Sequence, residues 1–264
     1  MKKLTFIAFL ILLSIFTAAC TPQKEKAKSN QVNKTELTVS AAASLNDALS
    51  EIKVDFENKN PTIRLLFNLG GSGALQQQII QGAPVDLFIS AAKNQFDELI
   101  QKGIVQKNNS TLLLGNELVL ITSKSNQVNI TRFEQLQNDH IKKIAIGTPE
   151  SVPAGMYAKQ TLQNLGIWDK TNEKMIPTKD VRQVLTYVET GSVDAGIVYM
   201  TDAKISDKVK EVAIANKQLH DPIVYPAGII KTSSHQKEAQ QFFDYLKSQS
   251  AGKIFKKYGF NVLD

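Results

Sequence analysis

Short apolar segments alternate with longer amphipathic ones from Glu36 to the end of the chain, and this alternation limits the possible folds more than any other feature. The apolar segments are typical of buried strands, and the amphipathic segments are typical of helices that cover a sheet. Predicted strands include residues 37–41, 62–68, 85–90 and 143–147, and predicted helices include 45–60, 74–81, 94–102, 131–137 and 155–165. Strands and helices in alternation indicate an α/β fold with parallel sheets and helices on both faces.

Two extended segments, around residues 115–121 and 221–228, divide the alternating elements into two groups. In the topology that we expect, the chain crosses to a second lobe along the first segment and returns along the other. The prediction is two α/β lobes joined by a two-strand hinge, with 36–117 and 222–264 in the first lobe and 118–221 in the second. Closure of a hinge around a ligand is a known motion of proteins with this shape.

The first 35 residues are predicted to lie outside the two lobes. Residues 1–19 are typical of a secretory signal peptide, because Lys2 and Lys3 precede an apolar stretch that is too short to span a bilayer. Residues 20–35 are polar and rich in lysine, which predicts a tether. Cys20 follows small residues, as in the lipobox of bacterial lipoproteins, where this cysteine is acylated. We expect a lipid anchor at the extracytoplasmic face of the cell membrane, with plain secretion as the alternative.

Charge and composition exclude several classes of function. The formal net charge of +6 at pH 7 falls to about +2 when the signal peptide and the tether are set aside, so it gives no support for nucleic-acid binding. Cys20 is the only cysteine, which excludes an internal disulfide and a cysteine-based metal site. The three histidines, His140, His220 and His235, show no spacing of metal ligands. We therefore expect no direct protein ligands to a metal and no cofactor.

Four junctions between a predicted strand and a predicted helix carry small residues. They are Ala-Ser-Leu at 43–45, Gly-Ser-Gly at 71–73, Pro-Ala-Gly at 153–155 and Asp-Val-Arg at 180–182. The start of a helix offers unpaired backbone N–H groups and a partial positive charge. Several helix starts directed at one point form an anion site that needs no lysine or arginine. The pattern therefore predicts a receptor for a small oxyanion.

Ser44 and Ser72 are the candidate side-chain ligands at these junctions. Ser44 is also a good helix N-cap, and a cap needs no ligand. Ser72 stands between two glycines, which let the backbone approach an anion closely, although Gly-Ser-Gly is often a simple turn. A catalytic serine in the pattern G-x-S-x-G would need glycine at position 74, where the chain has Ala74. A serine hydrolase is therefore a weaker alternative.

Seven runs of sequence resemble the molybdate-binding proteins of ABC transporters, in that family's order. They are AAASL (41–45), GGSGALQQQI (70–79), GAPVDLFISA (82–91), GNELVL (115–120), VPAGMYAK (152–159), DVRQVL (180–185) and GIVY (196–199). The resemblance covers the chain from about residue 36 to the end. It implies a type II periplasmic-binding-protein fold, with molybdate or tungstate held between the two lobes and delivered to an ABC permease.

The resemblance also implies the residues that bind the oxyanion. Ser44, Ser72 and Tyr199 would donate hydroxyl groups, and Ala154 and Val181 would donate only backbone N–H groups. Pro153 opens the helix that contains Ala154, and Asp180 is the predicted N-cap of the helix that begins at Val181. Arg182 is left out of the site and is expected to face Asp180 or Glu189.

A site made of neutral donors favours an anion that carries no proton. Molybdate, tungstate and sulfate only accept hydrogen bonds, whereas monohydrogen phosphate carries a proton that needs an acceptor. A receptor for another tetrahedral oxyanion such as sulfate remains open, because only the resemblance selects molybdate. An iron receptor would need clustered tyrosines and carboxylates, but the tyrosines at 157, 187 and 199 are dispersed. A monomer is the default expectation.

Overall fold

The computed structural model of the protein describes residues 34–125 and 129–263. The predicted signal peptide, the lipidation site at Cys20 and the tether up to residue 33 lie outside the described residues. Thr35, which we assigned to the tether, is the first residue of a strand. The residues from Lys34 onward form one compact unit.

Two sheets organise the molecule. The first has the strand order β11-β4-β10-β3-β1-β2, and the second has the order β7-β6-β8-β5-β9. The first contains β1 (Thr35–Ala42), β2 (Ile63–Gly70), β3 (Leu87–Ile89), β4 (Val105–Gly115), β10 (Val224–Ile230) and β11 (Asn261–Val262). The second contains β5 (Leu118–Ser123), β6 (Ile144–Gly147), β7 (Met175–Thr178), β8 (Ala195–Tyr199) and β9 (Val209–Ile214).

Nine α-helices pack against these sheets within the described residues. Five accompany the first sheet: α1 (Asn46–Lys59), α2 (Ser72–Ile80), α3 (Lys93–Gln101), α8 (Gln236–Leu246) and α9 (Gln249–Lys257). Four accompany the second sheet: α4 (Pro153–Asn164), α5 (Trp168–Thr171), α6 (Val181–Glu189) and α7 (Met200–Lys204). We call each sheet with its helices the first half and the second half. The predicted α/β alternation is confirmed, whereas the exact division into lobes stays a prediction.

The prediction of parallel sheets is corrected by the structure, because both sheets are mixed. Strand β1 is parallel to β2 and β3, but β10 is antiparallel to β3 and β4. In the second sheet β6 is parallel to β7 and β8, whereas β5 is antiparallel to β8 and β9. The chain leaves β4 for β5 and returns from β9 to β10. Strands β5 and β10 each begin at the junction between the halves. They therefore run opposite to the strands that end at this junction, such as β3 and β8.

Helix ends differ from the predicted ones by a few residues. The predicted helix over residues 131–137 is a 3₁₀ helix over Phe133–Gln137, and a further 3₁₀ turn over Ala43–Leu45 precedes α1. Helix α4 begins at Pro153 rather than at residue 155, because proline suits the first helical position. The short helix α7 was not predicted, because five residues give too little periodicity to recognise.

A continuous apolar core joins each sheet to its helices. In the first half Phe56 packs edge-on against Phe242, with ring centroids 5.0 Å apart, and in the second half Ile197 and Val184 are fully buried. No helix among the described residues combines the length and the apolar character needed to cross a bilayer.

Candidate oxyanion site between the two halves

The structure brings all five predicted site residues to one small cavity between the halves. Residues from the carboxyl ends of β1 and β2 form one wall, and residues at the starts of α4 and α6 and at the end of β8 form the other. The wall consists of Ala42, Ala43, Ser44, Gly70, Gly71, Ser72, Ala91, Val152, Pro153, Ala154, Val181 and Tyr199. The carboxyl ends of strands are where ligands bind in open α/β sheets.

The cavity is small. The centre of a water-sized sphere has about 10 Å³ in which to move, which is room for one compact group. A sugar, a peptide or a nucleotide does not fit this conformation. In this conformation the cavity restricts a ligand to a small, compact group.

Ser72 is fully buried at the first residue of α2, and its hydroxyl has a fixed role. The backbone N–H of Ala91 donates to Ser72 Oγ at 2.9 Å. This bond occupies an acceptor position of the oxygen and leaves the O–H of Ser72 to donate elsewhere. Ser72 is therefore oriented as a donor toward the cavity that it borders.

Ser44 lies in the 3₁₀ turn before α1 and is 3% exposed. Its side chain makes no capping hydrogen bond, so the alternative that Ser44 is an N-cap is wrong. Instead, Ser44 Oγ lies 2.9 Å from Oη of Tyr225, a fully buried tyrosine on β10. Each of the two serines thus makes a hydrogen bond to another residue of the first half.

Tyr199 ends β8, and its hydroxyl is buried without a hydrogen-bond partner among the described residues. Burial, followed by the nearby Tyr225, raises the pKa of Tyr199 well above its ordinary value, so the phenol keeps its proton. A buried hydroxyl without a partner is costly, at about 1–3 kcal/mol. Tyr199 borders the cavity, so an anion bound there would satisfy this donor.

Ala154 and Val181 stand in the first turns of α4 and α6, where backbone N–H groups have no partner within the helix. The N-cap prediction for Asp180 is confirmed, because its Oδ1 accepts from the N–H of Gln183 at 2.9 Å. This cap satisfies Gln183 and leaves the N–H of Val181 directed out of the helix start. The two helix starts add a partial positive charge to one side of the cavity.

The first half touches the second through glycines. A Cβ atom on Gly73 would lie 2.9 Å from both Cα and O of Ser151, and one on Gly71 would lie 2.9 Å from the carbonyl oxygen of Lys179. These neighbours are backbone atoms and cannot move aside as a side chain does. The Gly-Ser-Gly sequence therefore permits the close approach of the halves as well as the fold of the junction.

Arg182 stays out of the cavity, as predicted, but its expected partners were wrong. Its Nε lies 2.8 Å from Oδ1 of Asp202, and its Nη2 forms an ion pair with Asp47 of the first half. Arg182 Nη2 also lies 3.4 Å from the carbonyl oxygen of Ser44. Helix α6 carries the side chain toward α1 rather than toward Asp180 or Glu189. Arg182 thus connects the halves beside the site without contributing a charge to it.

Among the residues that the structure describes, no charged side chain forms part of the cavity wall. Its residues include no lysine, arginine, histidine, aspartate or glutamate. In the part of the chain that the structure describes, no cluster of three histidines, cysteines or carboxylates is placed to hold a metal. The arrangement offers neutral hydrogen-bond donors, which suits a whole oxyanion better than a bare cation.

A larger groove of about 660 Å³ lies on the first half and includes Asp86, Ser233 and His235. These residues resemble a hydrolase triad in composition but not in geometry. Ser233 Oγ donates to Asp86 at 2.6 Å instead of facing an imidazole nitrogen, and His235 Nδ1 also lies 3.2 Å from Asp86. Asp86 additionally accepts from the N–H of Thr38 at 2.7 Å. The group holds β1 to the turn before α8 and offers no activated nucleophile.

Sequence reasoning missed the residues behind the cavity. Tyr225 contacts Ser44, and Asn116 contacts Tyr225, yet they come from β10 and from the crossing segment. Asp202, which lies on the unpredicted helix α7, pairs with Arg182. A tyrosine in a strand and an asparagine after a glycine are common in any protein, so only the fold reveals their positions.

Comparisons with known proteins agree with this architecture. The family model for bacterial extracellular solute-binding proteins matches residues 37–261. YvgL of Bacillus subtilis, provisionally described as an ABC transporter substrate-binding lipoprotein, is 48% identical over 261 residues, which are 99% of each chain. The molybdate-binding protein ModA of Haemophilus influenzae is 38% identical over 230 residues, which are 86% of this chain and 90% of ModA.

A solved structure shows the same fold. The periplasmic molybdate-binding protein of Azotobacter vinelandii superposes with a TM-score of 0.77 at 25% identity, over 86% of this chain and 100% of that chain. Its likeness to the two-sheet architecture confirms the predicted fold class. The chain therefore belongs to the family of bacterial extracellular solute-binding proteins and has the fold of a periplasmic binding protein.

Proposed function

We propose that the protein captures molybdate, or tungstate, between its two halves and presents it to the permease of an ABC transporter. The observation that carries the proposal is the composition of the cavity, which offers hydroxyl and backbone donors and no charged side chain. The relatives named as molybdate-binding proteins support the choice of ligand.

The hydrogen-bond partners of Ser72 and Ser44 suggest how the site favours a fully deprotonated anion. Ser72 accepts from Ala91, so the Ser72 hydroxyl has its proton available for the ligand, and Ser44 Oγ lies within hydrogen-bond distance of Tyr225 Oη. Monohydrogen phosphate would bring a proton for which the cavity wall offers no carboxylate or imidazole acceptor. Leaving that proton unpaired in a buried site costs about 1–3 kcal/mol, so the site disfavours phosphate.

Size distinguishes the remaining candidates. Sulfate has the charge and shape of molybdate but shorter bonds, so a cavity fitted to molybdate would hold sulfate with stretched hydrogen bonds. Hydrogen bonds to a charged group contribute about 1.5–3 kcal/mol each. Five such bonds would contribute about 7.5–15 kcal/mol before the cost of closing the halves, and a micromolar Kd corresponds to about 8 kcal/mol.

The proposal extends to the location of the protein. We infer that Cys20 is acylated after cleavage of residues 1–19 and that residues 20–33 tether a monomeric receptor to the outer face of the cell membrane. Cys20 is the only cysteine, so incorporation of a labelled fatty acid should disappear entirely in a Cys20→Ser variant. Label that persists in this variant would contradict the anchor.

Titration calorimetry tests the ligand. The mature chain carrying Cys20→Ser, freed of bound anion, is titrated with molybdate, tungstate, sulfate and phosphate. We expect one-to-one tight binding of the first two and weak binding of the others. Tight sulfate binding, or no binding of any of the four, would contradict the proposal.

A double variant tests the site. Ser44→Ala together with Ser72→Ala should abolish molybdate binding, because two donors are lost. Ser40→Ala is the matched control, since Ser40 is a buried serine of β1 that does not border the cavity. Circular dichroism checks that the double variant is folded. Unchanged molybdate affinity in the folded double variant would contradict the assignment of the site.

A further inference from the structure

Asn116 occupies the crossing from β4 to β5, and its side-chain amide has one orientation. The backbone N–H of Glu117 donates to Asn116 Oδ1 at 2.9 Å, which identifies the oxygen. The opposite atom, Nδ2, carries two hydrogens and has two buried acceptors: Thr201 Oγ1 at 2.9 Å and Tyr225 Oη at 3.1 Å. An amide nitrogen only donates, so the direction of both bonds is fixed.

The direction at Asn116 determines the direction at Tyr225. The Tyr225 hydroxyl is completely buried, and it accepts from Asn116. Its own hydrogen needs an acceptor, and Ser44 Oγ at 2.9 Å is the other polar atom that it contacts in the described part of the chain. Burial raises the pKa of Tyr225 far above its ordinary value, so this hydrogen is retained. Tyr225 therefore donates to Ser44.

The direction at Tyr225 in turn determines what Ser44 offers to the cavity. Because Ser44 Oγ accepts from Tyr225, its own hydrogen points away from that bond. We propose that Asn116 and Tyr225 are specificity-determining positioning residues, which hold the Ser44 hydroxyl as a donor to the bound oxyanion and so exclude protonated oxyanions. This inference rests on the proposed role of Ser44 in molybdate binding. We call the sequence Asn116–Tyr225–Ser44 the donor chain.

The side-chain amide of Asn116 also links the two halves. Asn116 gives one hydrogen to Tyr225 on β10 of the first half and the other to Thr201, which follows Tyr199 closely in the second half. The two acceptors of the amide, Thr201 and Tyr225, are 1% and 0% exposed, and Asn116 itself is 8% exposed. Water therefore has little access to reverse the bonds. Asn116, in one of the two segments that join the halves, therefore fixes the direction of the hydrogen bonds that reach Ser44.

The variant Asn116→Asp reverses the donor chain with almost no change in shape. A carboxylate at this position accepts from Tyr225, so Tyr225 then accepts from Ser44, and an acceptor lone pair of Ser44 faces the ligand. We expect the Kd for molybdate to rise at least tenfold and the preference for molybdate over monohydrogen phosphate to fall at least tenfold. The added negative charge weakens the binding of both dianions alike. The ratio of the two Kd values therefore isolates the effect of hydrogen-bond direction.

Tyr225→Phe is the second variant and adds no charge. Without Tyr225, the Ser44 hydroxyl is free to rotate and accept the phosphate proton. We expect the preference for molybdate to fall at least threefold, mainly through stronger phosphate binding. Tyr258→Phe is the matched control, because the Tyr258 hydroxyl donates to Glu51 away from the cavity. It should leave both Kd values unchanged.

Calorimetric Kd values for molybdate and phosphate in the mature parent protein and in these variants decide the matter. A role in packing alone would raise both Kd values by the same factor and leave their ratio unchanged. If the parent binds molybdate and Ser44→Ala abolishes that binding, but the ratio is unchanged in both variants, the donor chain is wrong and the proposed function stands. If the parent binds no molybdate, both the function and the donor chain fail.

Discussion

The backbone N–H of Gly73 donates to the carbonyl oxygen of Ser151 at 2.9 Å. This bond joins the first turn of α2 to the segment before α4, directly beside the cavity. It is a contact of backbone with backbone, and the space between the two segments admits no Cβ atom. The bond therefore belongs to the conformation in which the two halves are together.

Gly73→Ala should hinder the approach of the halves. The added Cβ would lie 2.9 Å from Ser151 atoms, so we expect molybdate affinity to fall by about tenfold or more, with a slower closing step in stopped-flow fluorescence. Gly252→Ala is the control, because its Cβ would meet nothing nearer than 4.0 Å. Equal molybdate affinity of the two variants would show that the Gly73 contact does not limit closure.

Val181→Pro should remove one hydrogen bond to the ligand without breaking a helix. Val181 is the first residue of α6, a position that accepts proline, and Asp180 before it is extended with φ −160° and ψ 170°. Proline has no N–H, so the loss of one bond to a charged group predicts about 10–100-fold weaker molybdate binding. Val181→Thr keeps the N–H and should bind molybdate nearly as the parent does. Equal losses in both variants would point to the side chain instead.

Asp47→Asn should shorten the life of the closed complex. Asp47 in the first half pairs with Arg182 in the second, while Arg182 keeps its partner Asp202. Because the pair is partly exposed, we expect a three- to tenfold faster dissociation of molybdate and little change in association. Asp55→Asn, which removes a pair within the first half, is the control. An unchanged dissociation rate in Asp47→Asn would show that the pair between Asp47 and Arg182 does not stabilise the closed complex.

The contribution of Asp202 to stability should fall as the pH rises from about 4 to about 6. Burial raises the pKa of Asp202 from 3.8 to about 6, although Arg182 opposes the shift and Asp47 and Asp180 add to it. In this range the folded protein binds more protons than the unfolded chain, so the free energy of unfolding decreases with pH. Asp202→Asn should flatten this part of the curve in urea titrations at several pH values. The difference in unfolding free energy between the parent and Asp202→Asn is the test. If this difference rises with pH from about 4 to about 6, the raised pKa of Asp202 is contradicted.

The sequence was sufficient to predict the two groups of alternating elements because each strand is a short apolar run and each helix has a clear apolar face. It was insufficient for the direction of β5 and β10, because direction depends on where the chain enters each half and leaves no mark on the residues themselves. Helix α7 escaped prediction for a similar reason, since its five residues are too few for a period to be seen.

The five candidate ligand residues reached one cavity, but three of them were nominated only through the resemblance. Ala154 and Val181 line the cavity and would act through backbone groups, so any side chain that fits would serve there. The residues that orient Ser44 and Ser72 were not predicted, because Ala91 contributes only an N–H group and Tyr225 lies 181 positions from Ser44 in the chain. Such contacts arise from tertiary packing and have no local signature.

The neutral wall of the cavity determines how the protein responds to ionic strength. Since no charged side chain of the described residues borders the cavity, the bound dianion is held by dipoles that dissolved ions do not screen once the halves have closed. A receptor that relied on surface arginines would lose affinity steeply in concentrated salt. On the proposed function, this receptor would bind its anion with nearly the same affinity in dilute and in saline surroundings.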